Sequence, residues 1–372
     1  MNHFTGRWFT TFGPMELVQN GDTVRGTYGL AGSIHGTVAG DRLTFEYSEP
    51  GETGDGWFAL RRHGKFMGEY RPEGALQGRN WEGLRDFDGI WDSSFGRLRI
   101  ILSEESVTGF YEGVGPATIQ GSMDDGRLVF RYQEPQAQGQ GWFELGADGM
   151  SFAGQWCADG RQQWQQWTGR RILPTPGLTW LVVLEAHWQR SLADNEYAFG
   201  HMLREFFARL ENVKVRQRFF HDEASLEHWC RELLYLPEPA ILMIASHGTP
   251  EGLSVHGKTI NTGNVVASLQ FADNLKLLHF SSCLVMHDSA NGAGIGAVLG
   301  KFAIPISGYT TSVDWGGSAL IEFTYLDMIL AKHLTPAQAA AKLPNLLGFA
   351  GADSAADSPY AAAGFRFFPA VI

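Results

Sequence analysis

The sequence predicts a multidomain chain of two architectures. An N-terminal all-β region is built from two copies of one antiparallel barrel, and a C-terminal α/β region surrounds a mostly parallel sheet. Three observations predict this. The first 170 residues repeat themselves at a spacing of 83 to 85 positions. Within each copy, short runs alternate apolar and polar residues between Gly, Asp and Asn breaks. Beyond a Pro-rich break, strand and helix signals follow one another in turn.

The repeat is read residue by residue. Leu43-Thr44-Phe45-Glu46-Tyr47-Ser48-Glu49-Pro50 returns as Leu128-Val129-Phe130-Arg131-Tyr132-Gln133-Glu134-Pro135. Gly56-Trp57-Phe58 returns as Gly141-Trp142-Phe143, and Ile34-His35-Gly36 as Ile119-Gln120-Gly121, all 85 positions on. Gly6, Trp8, Val24 and Gly26 match Gly89, Trp91, Val107 and Gly109 at a spacing of 83, so the second copy carries a two-residue insertion in a loop. About eight strands are expected per copy, among them Arg7–Phe12, Met15–Gln19, Val24–Tyr28, Leu43–Tyr47, Gly56–Leu60 and Phe66–Tyr70. Closing such strands into barrels removes their exposed edges. Trp8, Trp57, Trp91 and Trp142 are expected to fill the interiors, because small barrels are packed with side chains. Asp22, Asp41, Asp124 and Asp125 sit beside turn residues and read as turn formers.

An early Trp, a Gly-x-Tyr and a Gly-Trp-Phe give each copy a resemblance to avidin-like or lipocalin-like barrels, and the resemblance brings no ligand with it. Gly169 to Gly177, with Pro174 and Pro176, breaks the pattern and reads as an irregular linker. The expected divisions are residues 1–83 for the first barrel, 84–170 for the second, 171–178 for the linker and 179–372 for the α/β domain.

In that domain Trp180–Glu185 reads as a buried strand and Glu196–Leu210 as a helix, with Phe199, Met202, Leu203, Phe206, Phe207 and Leu210 at helical spacing. Val213–Phe220 reads as a second strand. Asp222 caps a helix running to Leu234, which Pro237 ends. Two apolar strands follow, within Ala240 to Gly248 and Leu275 to Cys283. Then come a Gly-rich helix over Asn291–Lys301, a strand over Ala303–Ser307, helices over Ser318–Lys332 and Pro336–Leu347, and a last strand at Phe365–Phe368.

Bulk composition excludes several functions. Hydrophobic residues make up 44% and charged residues 19%, which is globular rather than disordered. The net charge is −11 and no Lys/Arg stripe appears, so neither nucleic acid nor an anionic membrane is the expected partner. The three cysteines, Cys157, Cys230 and Cys283, are too scattered for a metal site and odd in number for a disulfide framework. No metal or cofactor is expected. The start of the chain lacks signal-peptide character, so a cytoplasmic location is expected, where a thiol stays reduced.

Two motifs carry the chemistry. Ala240 to Ala245 leads into Ser246-His247-Gly248, and Leu275 to Phe280 leads into Ser281-Ser282-Cys283. A buried strand delivers its last residues to the carboxyl edge of the sheet, where open α/β sheets place their sites. His and Cys there supply a base and a nucleophile, since a thiol needs an activator at neutral pH.

With these motifs the C-terminal half resembles the caspase-like cysteine peptidases, and among them the CHAT group. Pro305-Ile306-Ser307-Gly308-Tyr309 with Val313-Asp314-Trp315 is similar to the family's later strand and groove-lining loop. Leu320–Leu326 and Leu334–Ala339 are similar to the helices that follow. The resemblance covers roughly residues 178–347 and implies a caspase-hemoglobinase-like sandwich and a cysteine endopeptidase. It implies that Cys283 attacks the scissile carbonyl, that His247 protonates the leaving amine, and that the amides of Gly248 and Cys283 hold the oxyanion. Glu185 and Asp314 are expected near the substrate and suit a Lys or Arg at P1, whereas Ser281 stands where related enzymes with a basic preference carry Asp.

Other residues read as structural. His279 lies within the Cys strand, His287-Asp288 in the loop after it, and Cys230 on an amphipathic helix. The glycines of Asn291–Gly296 lack the Lys-Ser/Thr of a phosphate loop. The expected function is therefore proteolysis of a protein or peptide substrate, with the β region regulating access or recruiting a protein partner or ligand. Two alternatives stay open: a catalytically inactive caspase-like scaffold, and a small-ligand-binding barrel protein with a signalling α/β domain.

Overall fold

Strand pairing closes the first 172 residues into two barrels of eight antiparallel strands each. The computed structural model describes residues 3–61, 65–103, 106–113, 115, 117–146, 149–187, 191–193, 198–287, 295, 302, 304–347 and 363–370. The helix expected over Asn291–Lys301 lies, save for Ile295, outside the described residues, as does Asp288. The chain forms two compact units, Met1–Gly177 and Leu178–Ile372.

The first barrel runs from Gly6–Thr10 to Arg79–Leu84 and closes by pairing Phe9 with Leu84 and Thr10 with Gly83. The second runs from Gly89–Ser93 to Gln165–Ile172 and closes over Ile90↔Ile172 to Ser93↔Gly169. Alternation sets what goes inside: in Arg42–Glu49 only Leu43, Phe45 and Tyr47 are buried. Gly83 and Gly169 occupy equivalent places against Phe66 and Phe152. A Cβ there would lie 2.2 Å and 2.3 Å from those rings, so the glycines let the aromatic cores close up.

Trp8 and Trp91 are fully buried as expected, and Trp81 and Trp167 join them at the centres of the two cores. Trp57 and Trp142 are a correction. Gly56 and Phe58 face inward, as do Gly141 and Phe143, so strand parity turns the Trp between them outward. There Arg42 sits 4.1 Å over Trp57 and Arg127 4.8 Å over Trp142, a repeated cation–π pair. The last strand of the second barrel includes Arg171 and Ile172, which the sequence places in the linker. The buried Arg171 guanidinium lies over Trp91 of its own barrel and Phe9 of the other, and donates to the carbonyls of Asp86, Asp88 and Gly149. It thereby fastens the two barrels together.

The second unit holds a six-stranded mixed sheet in the order Val213–Phe220, Thr179–Ala186, Ala240–Ala245, Leu275–Ser281, Ile306–Tyr309, Phe365–Phe368. The first five strands are parallel and the last is antiparallel. On one face Leu181, Ile241, Met243 and Leu277 pack with Phe199, Leu203 and Phe207 of one helix and Ile321, Tyr325 and Leu326 of another. Leu242, Ile244, Leu278 and Phe280 on the opposite face are equally buried. A large apolar side chain removed from water at this level contributes roughly 1.5–3 kcal/mol. The central strand therefore reads as one continuous apolar run and has no solvent face.

Asp222 caps Glu223–Glu232 as expected, accepting from Ser225 N at 2.8 Å. The helix expected from Ser318 begins at Trp315, because Asp314 caps it through Gly317 N. The strand expected over Ala303–Ser307 forms at Ile306–Tyr309. Pro305 has no N–H for the ladder and contributes only its carbonyl, to Leu278 N.

Candidate active site

The two motif strands are neighbours. Ala240–Ala245 and Leu275–Ser281 run parallel, with Ala245 paired to Ser281, so both chains leave the sheet side by side at its carboxyl edge. Polar bonds tie the exits together. Ser246 N–H donates to Ser282 Oγ at 3.2 Å, the two hydroxyls lie 3.3 Å apart, and Ser246 Oγ donates to the His247 carbonyl at 2.7 Å.

Beyond this tie, Gly248 meets Cys283. A Cβ on Gly248 would lie 2.1 Å from the Cys283 carbonyl oxygen and 3.0 Å from the Cys283 nitrogen. Glycine is required here because the two backbones touch. His247 and Gly248 then enter a small antiparallel sheet, paired with Ser254 and Leu253. His247 is exposed and Cys283 half-buried, so both are open to solvent.

The turn after Cys283 is held under strain. Leu284 adopts φ 61°, a conformation L residues with a Cβ rarely take, at a cost of order 1–3 kcal/mol. Leu284 N bonds Thr311 O at 3.1 Å, and Met286 N bonds Tyr309 O at 3.0 Å. This brings Val313 onto the sulfur. Its N–H donates to Cys283 Sγ at 3.4 Å, and its carbonyl lies 3.7 Å from the same sulfur. The resemblance places Val313 in a groove-lining loop, but its contact with the sulfur is made by the backbone and leaves no side-chain signature.

The other expected site residues divide. Asp314 is exposed, next to Val313, with its carboxylate on Gly317 N at 2.9 Å. Ser281 is half-buried and ends its strand two residues before Cys283. Glu185 is a correction. It is fully buried, with Oε1 accepting from Phe199 N at 2.8 Å and Oε2 from Gly200 N at 3.2 Å and Gln217 Nε2 at 2.6 Å. Its charge faces the first amides of the Phe199–Phe207 helix.

His279 is fully buried between Ser307 and Glu322. Cys230 is fully buried, and burial pushes its thiol up to about 12. Cys157 is also buried, its thiol donating to Arg161 O at 3.2 Å. Among the three cysteines only Cys283 has an accessible sulfur environment. Among the described residues no group of three His, Cys, Asp or Glu side chains is placed to hold a metal ion. No described helix is long and apolar enough to cross a membrane.

No family model and no curated protein matches the chain. Solved structures give partial likenesses. A variant of transferrin binding protein B from Haemophilus parasuis shows 12% identity and a TM-score of 0.17, covering 43% of this chain and 42% of its own. The agglutinin of Burkholderia oklahomensis shows 12% identity and a TM-score of 0.15, covering 43% of this chain and 88% of its own. The α-N-acetylgalactosaminidase NagBb of Bifidobacterium bifidum in complex with GalNAc shows 10% identity and a TM-score of 0.15, covering 74% and 58%. This chain thus spans less than half the length of the transferrin binding protein it matches. The two barrels stand on their own strand pairing.

Proposed function

We propose that the C-terminal unit is a cysteine peptidase of caspase-like type. Cys283 is the nucleophile and His247 its acid–base partner, and the β region regulates the site or recruits its protein substrate. The observation that carries this is the contact of Gly248 with the Cys283 backbone, which sets the His-Gly and Cys turns against one another. The strained turn at Leu284 supports it, since strain of this kind persists where function demands a fixed geometry.

In this reading the thiolate adds to the scissile carbonyl and the oxygen takes the negative charge. The neighbouring amides of Gly248 and Cys283 are its donors, each worth about 3–4 kcal/mol of barrier. The C–N bond then breaks as imidazolium passes a proton to the amine. Water finally releases the acyl group from sulfur. The P1 pocket carries Asp314 without Glu185, so a single carboxylate bears any preference for Lys or Arg. A reducing compartment such as the cytoplasm suits the free thiols.

A second reading, a ligand-holding barrel with a signalling α/β unit, has one observation in its favour. In the second barrel the Tyr132 hydroxyl and Trp156 Nε1 are buried without hydrogen-bond partners, their rings 5.5 Å apart.

Mass-spectrometric mapping of a thiol alkylator, together with cleavage of a fluorogenic peptide panel, separates the readings. Cys283→Ala is expected to abolish labelling at that site and all cleavage, and His247→Ala to slow both. Cleavage that survives Cys283→Ala overturns the proposal.

A further inference from the structure

Glu322 sits in the Trp315–Leu330 helix with no exposure to solvent. Its Oε1 accepts from the Tyr309 hydroxyl at 3.0 Å and lies 3.2 Å from His279 Nε2. His279 Nδ1 lies 2.9 Å from Ser307 Oγ, and the Tyr325 hydroxyl donates to the Pro336 carbonyl at 3.2 Å. Oε2 of Glu322 is buried with no hydrogen-bond partner.

Packing alone accounts poorly for such a residue. A carboxylate removed from water with one oxygen unmatched is costly, and an apolar residue of similar volume packs at least as well. What the carboxylate does do is geometric. His279 stands four residues before Cys283 on the nucleophile strand. Tyr309 stands four residues before Val313 on the next strand. One oxygen therefore grips both chains at the same distance upstream of the point where Val313 N–H meets the sulfur.

We infer that Glu322 is a positioning residue for Cys283, clamping the His279 and Tyr309 strands so that the Val313 amide stays on the sulfur. The inference rests on the reading of Cys283 as the nucleophile. A donor held at the sulfur stabilises negative charge as it forms there, so losing it is expected to cost reactivity. Among the described residues the ionisable groups of this network are His279 from the nucleophile strand, Tyr309 from its neighbour, and Tyr325 from the same helix as Glu322.

The test is the alkylation rate of Cys283 by iodoacetamide as a function of pH in the full chain. It is read by site-resolved mass spectrometry for wild type, Glu322→Gln, Glu322→Leu and Tyr309→Phe. Leu and Phe are expected to move the midpoint of the rate profile up by roughly one pH unit, the size of one lost hydrogen bond to a charged group. Labelling at pH 7 then slows about tenfold. Gln keeps an acceptor for Tyr309 and is expected to stay near the wild-type midpoint. A residue that merely holds the core together lowers the melting temperature without moving the midpoint.

If folded Glu322→Leu shows the wild-type profile, the clamp is wrong. If that variant does not fold, Tyr309→Phe, which removes one hydroxyl, decides alone by the same criterion. A wild-type profile that His247→Ala leaves unchanged counts against the dyad. It leaves the clamp standing, because the clamp is read from differences among the Glu322 and Tyr309 variants.

Discussion

Gly248→Ala adds one methyl group at the point where the two motif turns touch. The new Cβ would lie 2.1 Å from the Cys283 carbonyl oxygen, 3.0 Å from its nitrogen and 3.0 Å from Val285 Cγ2. Real Cβ atoms essentially never come closer than 3.0 Å, so the two turns must part by about 0.9 Å. Two consequences follow on different scales. Overpacking of this kind costs about 1–3 kcal/mol of stability, which a unit of this size survives. A displacement near 1 Å in a catalytic constellation costs on the order of a hundredfold in rate. The variant is therefore expected to fold, with a modest fall in urea midpoint, and to lose about a hundredfold in kcat/KM on a fluorogenic peptide. Gly248→Ser should do the same, since the clash belongs to the Cβ and not to polarity. A folded Gly248→Ala retaining kcat/KM within about threefold would refute the argument that this contact sets the site.

Two further outcomes follow from buried groups. Burial holds the Cys230 thiol up to about 12 from an ordinary 9.0, against a weaker opposing hydrogen bond from Ser268. The unfolded thiol loses its proton first, so the contribution is complete below pH 9 and is lost as pH rises toward 12. Stability should fall there by up to about 1.4 kcal/mol per pH unit. Urea unfolding across this range should show a shallower slope in Cys230→Ala, and equal slopes would refute the assignment. The two carboxylates once paired as substrate contacts should also behave oppositely. Asp314→Asn still caps its helix, so it should keep its melting temperature while reducing any preference for Lys or Arg over neutral P1 residues. Glu185→Gln should cost about 1–3 kcal/mol and leave the P1 ranking alone, because its oxygens belong to Phe199, Gly200 and Gln217. A P1 ranking that shifts with Glu185→Gln would place that residue back at the substrate.

What the sequence discloses depends on whether a residue's role is local. The barrels are legible because alternation is a short-range pattern and the duplication repeats it, and each closes with eight strands where about eight are expected. Trp57 and Trp142 mislead because their size suits the interior while strand parity turns them outward. The Gly and Phe on either side already fix the inside of the strand. His247 and Cys283 stand out in the sequence because each follows an apolar run. Glu185 is not: its role appears only when a helix that starts 14 residues later turns its first amides back over the strand. Glu322 is hidden for the same reason. On its own helix it looks like a solvated polar residue, and only the facing His279 and Tyr309 give it a task.

The two barrel seams are unequal, and this bears on how the first unit folds and breathes. Each seam joins strands about 75 residues or more apart in the chain, so closure comes late, after the local hairpins have formed. The first barrel is zipped by two residue pairs and the second by four. The duplicated halves share a core design but not a hinge. The earlier copy opens with fewer bonds broken, so slow exchange of backbone amides with solvent begins along Phe9 and Leu84.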